Sequence, residues 1–392
     1  MNIQLADCTN FLQRLVGFDS KSSDLKSEDC SNYALIEWAQ QELQQLGFCC
    51  QLQEVKAGKY NLWARLRPDL GTGLLLSGHS DTVPAKVEQW STDPLELIEK
   101  DGRLYALGAC DMKGALASFM AAAKAFAPLK EQLIRSLDLL FTCDEETSMC
   151  GAEYFSRYYA EHKFPKAELC IIGEPTLLCP VVGHKGYCAR TITISGKSAH
   201  SSNPDLGLNA ILALPAAISL LQALCDELKC SQDQRFSVPY STLNIGLISG
   251  GSCINQVCSE VRLSLDMRPI RPSPAGKIDY NLDKLLQPLL RKGYGYKIET
   301  PYPDIECFYQ NTKDQAAFEA YLEKVSGESC CKENYCTEAS LLQHCARHLT
   351  VFGPGSISQA HQPDEYVEIS QLELYLKQLS RLISDHCLLL PA

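Results

Sequence analysis

Polar residues that can bind metal ions or transfer protons follow three apolar runs in this sequence. The runs lack the alternation of an amphipathic strand, which is typical of strands buried inside a parallel sheet. Ligands of open α/β sheets bind at the carboxyl ends of the strands, so we expect these polar side chains to meet at one edge. The runs and the residues that follow them are 73–77 with His79 and Asp81, 137–142 with Glu145 and Glu146, and 169–172 with Glu174.

These residue types suit a pair of divalent metal ions. Such a pair needs imidazole and carboxylate ligands, one carboxylate able to contact both ions, and an open position for water. Each candidate alone has an ordinary structural explanation, since Asp111 could cap a helix and His361 could be a loop residue. Their joint occurrence favours a metal centre built from His79, Asp111, Glu146, Glu174 and His361.

The elements that must position these residues form an α/β domain. Apolar spacing and flanking glycines predict helices and strands in an order that gives a mostly parallel central sheet. The predicted helices are 33–46, 112–125 and 372–383, and the predicted strands besides the three runs are 48–55 and 60–66.

The middle of the chain has a different pattern. Residues 184–301 follow the order strand, helix, strand, strand, helix, strand, with Pro215 either kinking or starting the first helix. This βαββαβ order predicts an inserted, ferredoxin-like α+β domain. We expect residues 1–183 and 302–392 to form a discontinuous metal-binding catalytic domain. A length of 392 residues agrees with two domains, because single cores stop growing near about 250 residues.

The charge and apolar composition of the chain exclude some classes of binding partner. The net charge is -11, with 36 Lys and Arg against 47 Asp and Glu, and no basic run tracks phosphates. We therefore expect neither nucleic acid nor a membrane as partner. No segment approaches the roughly 20 apolar residues of a membrane span, and the start lacks a signal peptide, so we expect a cytoplasmic protein. The 20 cysteines, without paired Cys-x-x-Cys sites, predict buried free thiols in a reducing compartment.

Four motifs resemble, in order, the signatures of the M20 family of metallopeptidases and deacylases. They are 78–84, 108–114, 144–146 and 173–176, and the resemblance extends over nearly the whole chain. It implies a zinc-peptidase-like catalytic domain that binds two divalent ions, with zinc favoured and cobalt as the alternative. It also implies that the inserted domain serves as lid and dimerisation domain, so we expect a homodimer.

The resemblance also implies roles for individual residues. His79 and Glu174 would hold one ion, Glu146 and His361 the other, and Asp111 would bridge them. Three more residues would act on these ligands or on the substrate: Asp81 orients the His79 imidazole, Glu145 is the general acid/base, and His200, in the lid motif 196–202, stabilises the oxyanion in the neighbouring subunit's site.

The type of substrate is inferred from residues other than the predicted metal ligands. Arg268 offers a planar cation suited to an α-carboxylate, and Asn255 a neutral donor for an acyl or carboxylate oxygen. Glu338 would suit a side-chain ammonium. The alternative for Arg268 is a plain ion pair. The alternative for Glu338 is a contact with the groups that support the metal ligands or with another protein residue.

The segments around these residues resemble those of family members that hydrolyse Nα-acetyl-L-ornithine. We therefore expect a small N-acyl amino acid as substrate, with L-ornithine and acetate as products. Within the family, a succinyl-diaminopimelate desuccinylase or an aminoacylase-like hydrolase is the alternative. A non-catalytic, metal-bound interaction protein is the alternative from another class, but it predicts loss of at least one metal or acid residue, and none is replaced.

Overall fold

The computed structural model describes residues 2–271, 275–310 and 312–388. The chain divides into two compact units. Unit 1 consists of Met1–Val182, Tyr309–Cys331 and Thr337–Ala392, and unit 2 consists of Gly183–Phe308 and Lys332–Cys336. The chain thus enters unit 2 twice, the second time for a short segment that has no signature in the sequence.

Helices of both units are numbered along the chain. Within the described residues, α1 to α9 are Leu5–Val16, Tyr33–Gln45, Lys113–Phe126, Cys150–Glu161, Leu214–Leu228, Ala275–Leu290, Gln315–Ser326, Ala339–Leu342 and Ile369–Cys387. The helices predicted at 33–46, 112–125 and 372–383 are confirmed as α2, α3 and α9.

Strands are numbered in the same way. Within the described residues, β1 to β16 are Cys49–Lys56, Lys59–Leu66, Thr72–His79, Ile98–Lys100, Arg103–Tyr105, Ser136–Thr142, Ala167–Ile172, Val181–His184, Cys188–Ser195, Thr242–Gly250, Glu260–Arg268, Gly295–Glu299, Phe308–Tyr309, Cys331–Glu333, Ala346–Val351 and Tyr366–Glu368.

The large sheet of unit 1 is parallel at its centre. β3 lies between β6 and β7 and runs parallel to both, and β15 is parallel to β7. β2 and β1 extend the sheet beyond β6 in antiparallel pairing. Every residue of β3 and β6 is buried. The three apolar runs are therefore confirmed as core strands, and their carboxyl ends lie side by side, as the predicted α/β class requires.

Helix α3 packs beneath this edge of the sheet. Its residues from Lys113 to Ala123 are all buried. Gly114 and the alanines at 115, 117 and 121–123 are small enough to let the helix approach its neighbours closely. Gly114 shows how close: a Cβ there would lie 2.5 Å from the Ala109 carbonyl oxygen. The buried Lys113 ammonium donates to the Phe18 carbonyl at 2.9 Å, and burial lowers the pKa of Lys113 to about 8. The start of α3, two residues after Asp111, is thereby fixed.

A small three-stranded sheet joins two distant loops of unit 1. β16 pairs antiparallel with β5, and Tyr366 lies opposite Tyr105. Just outside the pairing, the Ala106 N–H donates to the Glu365 carbonyl at 3.2 Å. The loop that leads to Asp111 therefore runs beside the segment that contains His361.

Unit 2 has the predicted α+β pattern. Its antiparallel sheet has the order β10, β11, β9, β12. Helices α5 and α6 contribute Leu221 and Leu286 to a core shared with Ile192 and Leu263 of the sheet. Pro215 lies in the first turn of α5, so it starts the helix and does not kink it.

One apolar segment of unit 2 departs from expectation. Among the described residues, Ala210–Leu228 is long and apolar enough to cross a membrane by length and composition alone, and 17% of its most apolar window is buried. The expectation that no segment approaches this length was wrong. Pro215 and Gln222 interrupt the apolar run, but the mean hydropathy of the segment remains high in spite of them. The segment includes α5, whose residues Ala217 and Leu221 face the core of unit 2.

The cysteines form no disulfide among the described residues, but they are less buried than predicted. Nine of the 20 are buried and three are exposed. Cys49, in an apolar run, is among the exposed ones, because it begins the outermost strand β1. The remaining eight are partly exposed.

Candidate active site

The predicted metal ligands come together at the carboxyl edge of the unit 1 sheet. His79 Nε2 lies 3.1 Å from Asp111 Oδ1 and 3.7 Å from Glu174 Oε1. His361 Nε2 lies 2.9 Å from Glu146 Oε2 and 4.0 Å from Asp111 Oδ2. Each carboxylate oxygen of Asp111 therefore faces one histidine, and each histidine has one further carboxylate beside it.

The donor atoms of this cluster fit divalent metal ions. Among the described residues, ligand atoms within 4.8 Å of one another form two groups that share His79, one with Glu145 and Glu174 and one with Asp111 and Glu146. Imidazole nitrogen and carboxylate oxygen are the donors that zinc and similar ions accept. The His361 side chain is 54% exposed, so the cluster is accessible from its side.

The close packing of charged groups shifts the pKa values of the carboxyl groups in this cluster. Burial and the charge of Asp111 raise the pKa of Glu174 well above its ordinary value. Burial and the charge of Glu174 do the same to the pKa of Glu145. Burial acts to raise the pKa of Asp111, but the hydrogen bond with His79 and the charges of His79 and His361 together outweigh it, so that pKa lies below its ordinary value. Several carboxylates thus compete for too little positive charge.

The same carboxylates raise the pKa values of the two histidines, which favours the charged form of each ring. Burial lowers the pKa of His79, but the hydrogen bond with Asp111 and the charge of Glu174 outweigh it, and the pKa lies well above its ordinary value. The hydrogen bond with Glu146 raises the pKa of His361 to about 8. The neighbouring carboxylates therefore favour positive charge at both rings. Cations bound between the rings and the carboxylates would provide that charge.

Asp81 orients His79 through its main chain. His79 Nδ1 lies 2.9 Å from the Asp81 carbonyl oxygen, and 3.8 Å from its carboxylate. A proton on Nδ1 directed at this carbonyl leaves the lone pair of Nε2 available to a metal ion. The carboxylate itself accepts the backbone N–H groups of Glu145 and Glu146, each at 3.2 Å. Asp81 therefore positions the acid loop as well as the imidazole.

The acid loop begins with a strained residue that sequence reasoning did not single out. Asp144 has a φ of 57°, in the left-handed region that Asp tolerates better than most residues. Its buried carboxylate pairs with Lys59 at 2.9 Å and also with Lys56, and it accepts from the Ser22 hydroxyl at 2.6 Å. These contacts hold the turn from which Glu145 emerges.

Glu365 is a second residue that sequence reasoning missed. Its buried carboxylate accepts the backbone N–H groups of Gly108, Cys110 and Asp111 at 2.9, 2.7 and 2.8 Å. Burial raises the pKa of Glu365 to about 8. The Asp111–Met112 peptide that follows is cis. The only signal in the sequence was the position of Glu365 in the same motif as His361.

Glu338 lies in unit 1 and is fully buried. The Thr142 hydroxyl donates to its Oε2 at 2.9 Å, while Oε1 has no hydrogen-bond partner among the described residues. Burial raises the pKa of Glu338 to about 8. Because Thr142 ends β6, Glu338 lies at the same edge of the sheet as the predicted metal ligands.

The remaining predicted residues belong to unit 2. His200 and Asn255 are exposed and lie on adjacent segments, since the Ser201 N–H donates to the Asn255 carbonyl at 3.0 Å. His200 Nδ1 accepts the Ser202 N–H at 3.2 Å. Arg268 forms a two-bond ion pair with Asp266, both bonds at 3.0 Å, so the alternative of a plain ion pair describes its state here.

Comparison with known proteins places the chain in a defined group. Residues 75–385 match Peptidase family M20/M25/M40. The chain is similar to acetylornithine deacetylase of Proteus mirabilis, with 39% identity over 99% of both chains. It is also similar to acetylornithine deacetylase of Vibrio vulnificus, with 40% identity over 98% of this chain and 100% of the relative.

Solved structures with the same fold are more distant in sequence. A tripeptidase from Staphylococcus aureus has a TM-score of 0.74 at 21% identity, covering 98% of this chain and 99% of its own. An M20 family metallo-carboxypeptidase from Sulfolobus solfataricus has a TM-score of 0.73 at 19% identity, covering 96% and 98%. The predicted fold class is thereby confirmed.

The Glu365 contacts generate a testable prediction. Glu365→Gln replaces one carboxylate oxygen by an NH2 group, which cannot accept a backbone N–H. We expect the loop with Asp111 to shift and affinity for Zn²⁺ to fall about 10- to 100-fold. Isothermal titration of metal-stripped protein measures this change. Glu368→Gln, at a partly exposed acid of β16, is the control and should bind like wild type. Unchanged affinity in Glu365→Gln would contradict the positioning role.

Proposed function

The chain belongs to peptidase family M20/M25/M40, and we propose that it is the member that hydrolyses Nα-acetyl-L-ornithine. The products are L-ornithine, which feeds arginine biosynthesis, and acetate. The observation that carries this proposal is the pair of histidine–carboxylate contacts on the two oxygens of Asp111. Full-length similarity to acetylornithine deacetylases of several bacteria supports the substrate.

The five converging residues are proposed as the metal ligands. His79 with Glu174 would hold one ion, His361 with Glu146 the other, and Asp111 would contact both. Divalent ions bound there would polarise the acetyl carbonyl and lower the pKa of water. We propose zinc as the resident ion, with cobalt able to replace it, because both accept imidazole and carboxylate donors.

Glu145 is proposed to move the proton. Its carboxylate lies within 4.8 Å of ligand atoms of His79 and Glu174. Its backbone N–H donates to the Asp81 carboxylate. From this position the carboxylate takes a proton from the attacking water and later delivers it to the departing amine. Glu146 follows directly but points to His361, so adjacent acids serve the two tasks.

His200 is proposed to stabilise the oxyanion. Because Nδ1 accepts the Ser202 N–H, the neutral ring carries its proton on Nε2. An N–H donor directed at the developing negative charge stabilises the transition state. Family resemblance supports its action in the neighbouring subunit's site.

The substrate is proposed to be recognised by its charges. Glu338 Oε1 is a buried carboxylate oxygen without a partner among the described residues, and a side-chain ammonium would supply one. Arg268 would take the α-carboxylate after exchange of its partner Asp266, and Asn255 would donate to a substrate oxygen. A succinyl-diaminopimelate substrate would place a second carboxylate beside Glu338, which disfavours that alternative.

The protein is proposed to be a cytoplasmic homodimer. Edge strand β10 exposes Leu247 and Ile248 at 71% and 58%. Exposed apolar residues on a free strand edge favour pairing with another chain.

Removing the proposed proton shuttle tests the reaction. We expect Glu145→Gln to lower kcat for Nα-acetyl-L-ornithine about 10²- to 10⁴-fold while metal content stays unchanged. Acetate release by zinc- or cobalt-loaded protein measures the rate. The exposed Glu153→Gln of α4 is the control and should keep full activity. Undiminished turnover in Glu145→Gln would exclude the proposed mechanism.

Removing the proposed ammonium partner tests specificity. Glu338→Gln should reduce kcat/KM for Nα-acetyl-L-ornithine about 10- to 100-fold more than for Nα-acetyl-L-norleucine, whose side chain has the same number of heavy atoms and no charge. Comparison of both substrates gives the ratio, and the exposed Glu328→Gln serves as control. Equal loss on the two substrates would show that Glu338 does not recognise the ammonium.

Charge on the β10 edge tests the dimer. We expect wild type to have the mass of two chains in light scattering after size exclusion, and Leu247→Asp/Ile248→Asp the mass of one, because buried carboxylates oppose association. Leu25→Asp, at an exposed residue of unit 1, should leave the mass unchanged. A single-chain mass for wild type would refute the dimer.

A further inference from the structure

Two cysteines outside the proposed reaction face each other in unit 1. The Sγ atoms of Cys179 and Cys331 are 3.1 Å apart, although 152 positions separate the residues. The Cys331 N–H also donates to the Pro180 carbonyl at 3.0 Å, so the two backbones are held together independently of the sulfurs. Both side chains are partly exposed. A small oxidant can therefore reach a pair of thiols that are already in contact.

The position of this pair is special in the chain. Unit 1 ends for the first time at Val182 and for the second time at Cys331. Cys179 precedes the first of these exits in the segment after Glu174, and Cys331 lies at the second, in the segment that leads to Glu338. The thiols thus flank both points at which the chain leaves unit 1.

We propose that Cys179 and Cys331 form a reversible disulfide that joins the two exit segments of unit 1. Hydrogen peroxide is the oxidant. One sulfur attacks the O–O bond, which breaks to give a sulfenic acid and one water; the other sulfur then displaces the hydroxyl group, which leaves as a second water. The two thiol protons and two electrons pass to the peroxide, and one S–S bond forms.

The neighbouring thiol is a poor competitor. Cys330 precedes Cys331 directly, but burial raises the pKa of the Cys330 thiol to about 12, and its sulfur lies 3.6 Å from the Glu319 carbonyl. The thiolate is the form that reacts with peroxides and disulfides. Cys330 therefore stays reduced while Cys331 reacts with Cys179.

The disulfide has two consequences. A cross-link that closes a long loop restricts the unfolded chain, so the oxidised protein should be more stable. It also limits the movement of the segments that contain Glu174 and Glu338, so turnover should fall. This second consequence rests on the proposed function, because it is measured with Nα-acetyl-L-ornithine.

The experiment uses the full-length, zinc-loaded protein treated with hydrogen peroxide. Free thiols are alkylated, the protein is digested, and peptides are identified by mass spectrometry. We expect a peptide pair linked through Cys179 and Cys331 that dithiothreitol separates, a Tm increase of about 2 °C or more, and a reversible, severalfold decrease in kcat. Cys331→Ser should show none of these changes, and Cys230→Ser, at an exposed thiol of unit 2, should behave as wild type.

The linked peptide, the value of kcat and the activity of the reduced protein test the disulfide, its regulatory role and the proposed function separately. Absence of the linked pair, or a link from Cys179 to Cys330, would overturn the assignment of the disulfide. A complete disulfide with unchanged kcat would overturn its regulatory role. If the reduced protein does not hydrolyse Nα-acetyl-L-ornithine, the proposed function fails while the linked peptide still tests the disulfide.

Discussion

Repulsion among buried carboxylates is the constraint on which the rest of this structure depends. Asp111, Glu146 and Glu174 crowd around two imidazoles, and Glu145 joins them. Two like charges 4 Å apart repel by about 4 kcal/mol at the effective dielectric constant of a protein surface. A fold that keeps such groups together needs either bound protons or bound cations, and a histidine beside each side of Asp111 favours cations.

The remainder of unit 1 supplies what is needed to hold these groups in place. Parallel strands bring His79 and Glu174 to one edge, and further buried acids anchor the loops between them. Asp81 and Glu365 accept backbone N–H groups from the segments with Glu146 and Asp111. These anchors touch the main chain, so they fix loop positions while leaving the ligand side chains free to bind.

The sequence indicates the strands and ligands because both depend on local patterns. Buried runs and fixed motif spacing were enough to predict that the residues at 79, 111, 146, 174 and 361 converge. Contacts between distant segments have no such signature: the three N–H groups on Glu365, the main-chain role of Asp81 and the burial of Glu338 follow from packing. The short return of Lys332–Cys336 to unit 2 is a property of topology and was equally invisible.

Two neighbouring divalent ions are proposed to share Asp111. Metal content after exhaustive dialysis, measured by plasma mass spectrometry alongside acetate release, tests this proposal most directly. We expect two ions per chain in active wild-type protein and at most one in Asp111→Asn, with activity lost. One ion or none in wild-type protein that still hydrolyses Nα-acetyl-L-ornithine would contradict it.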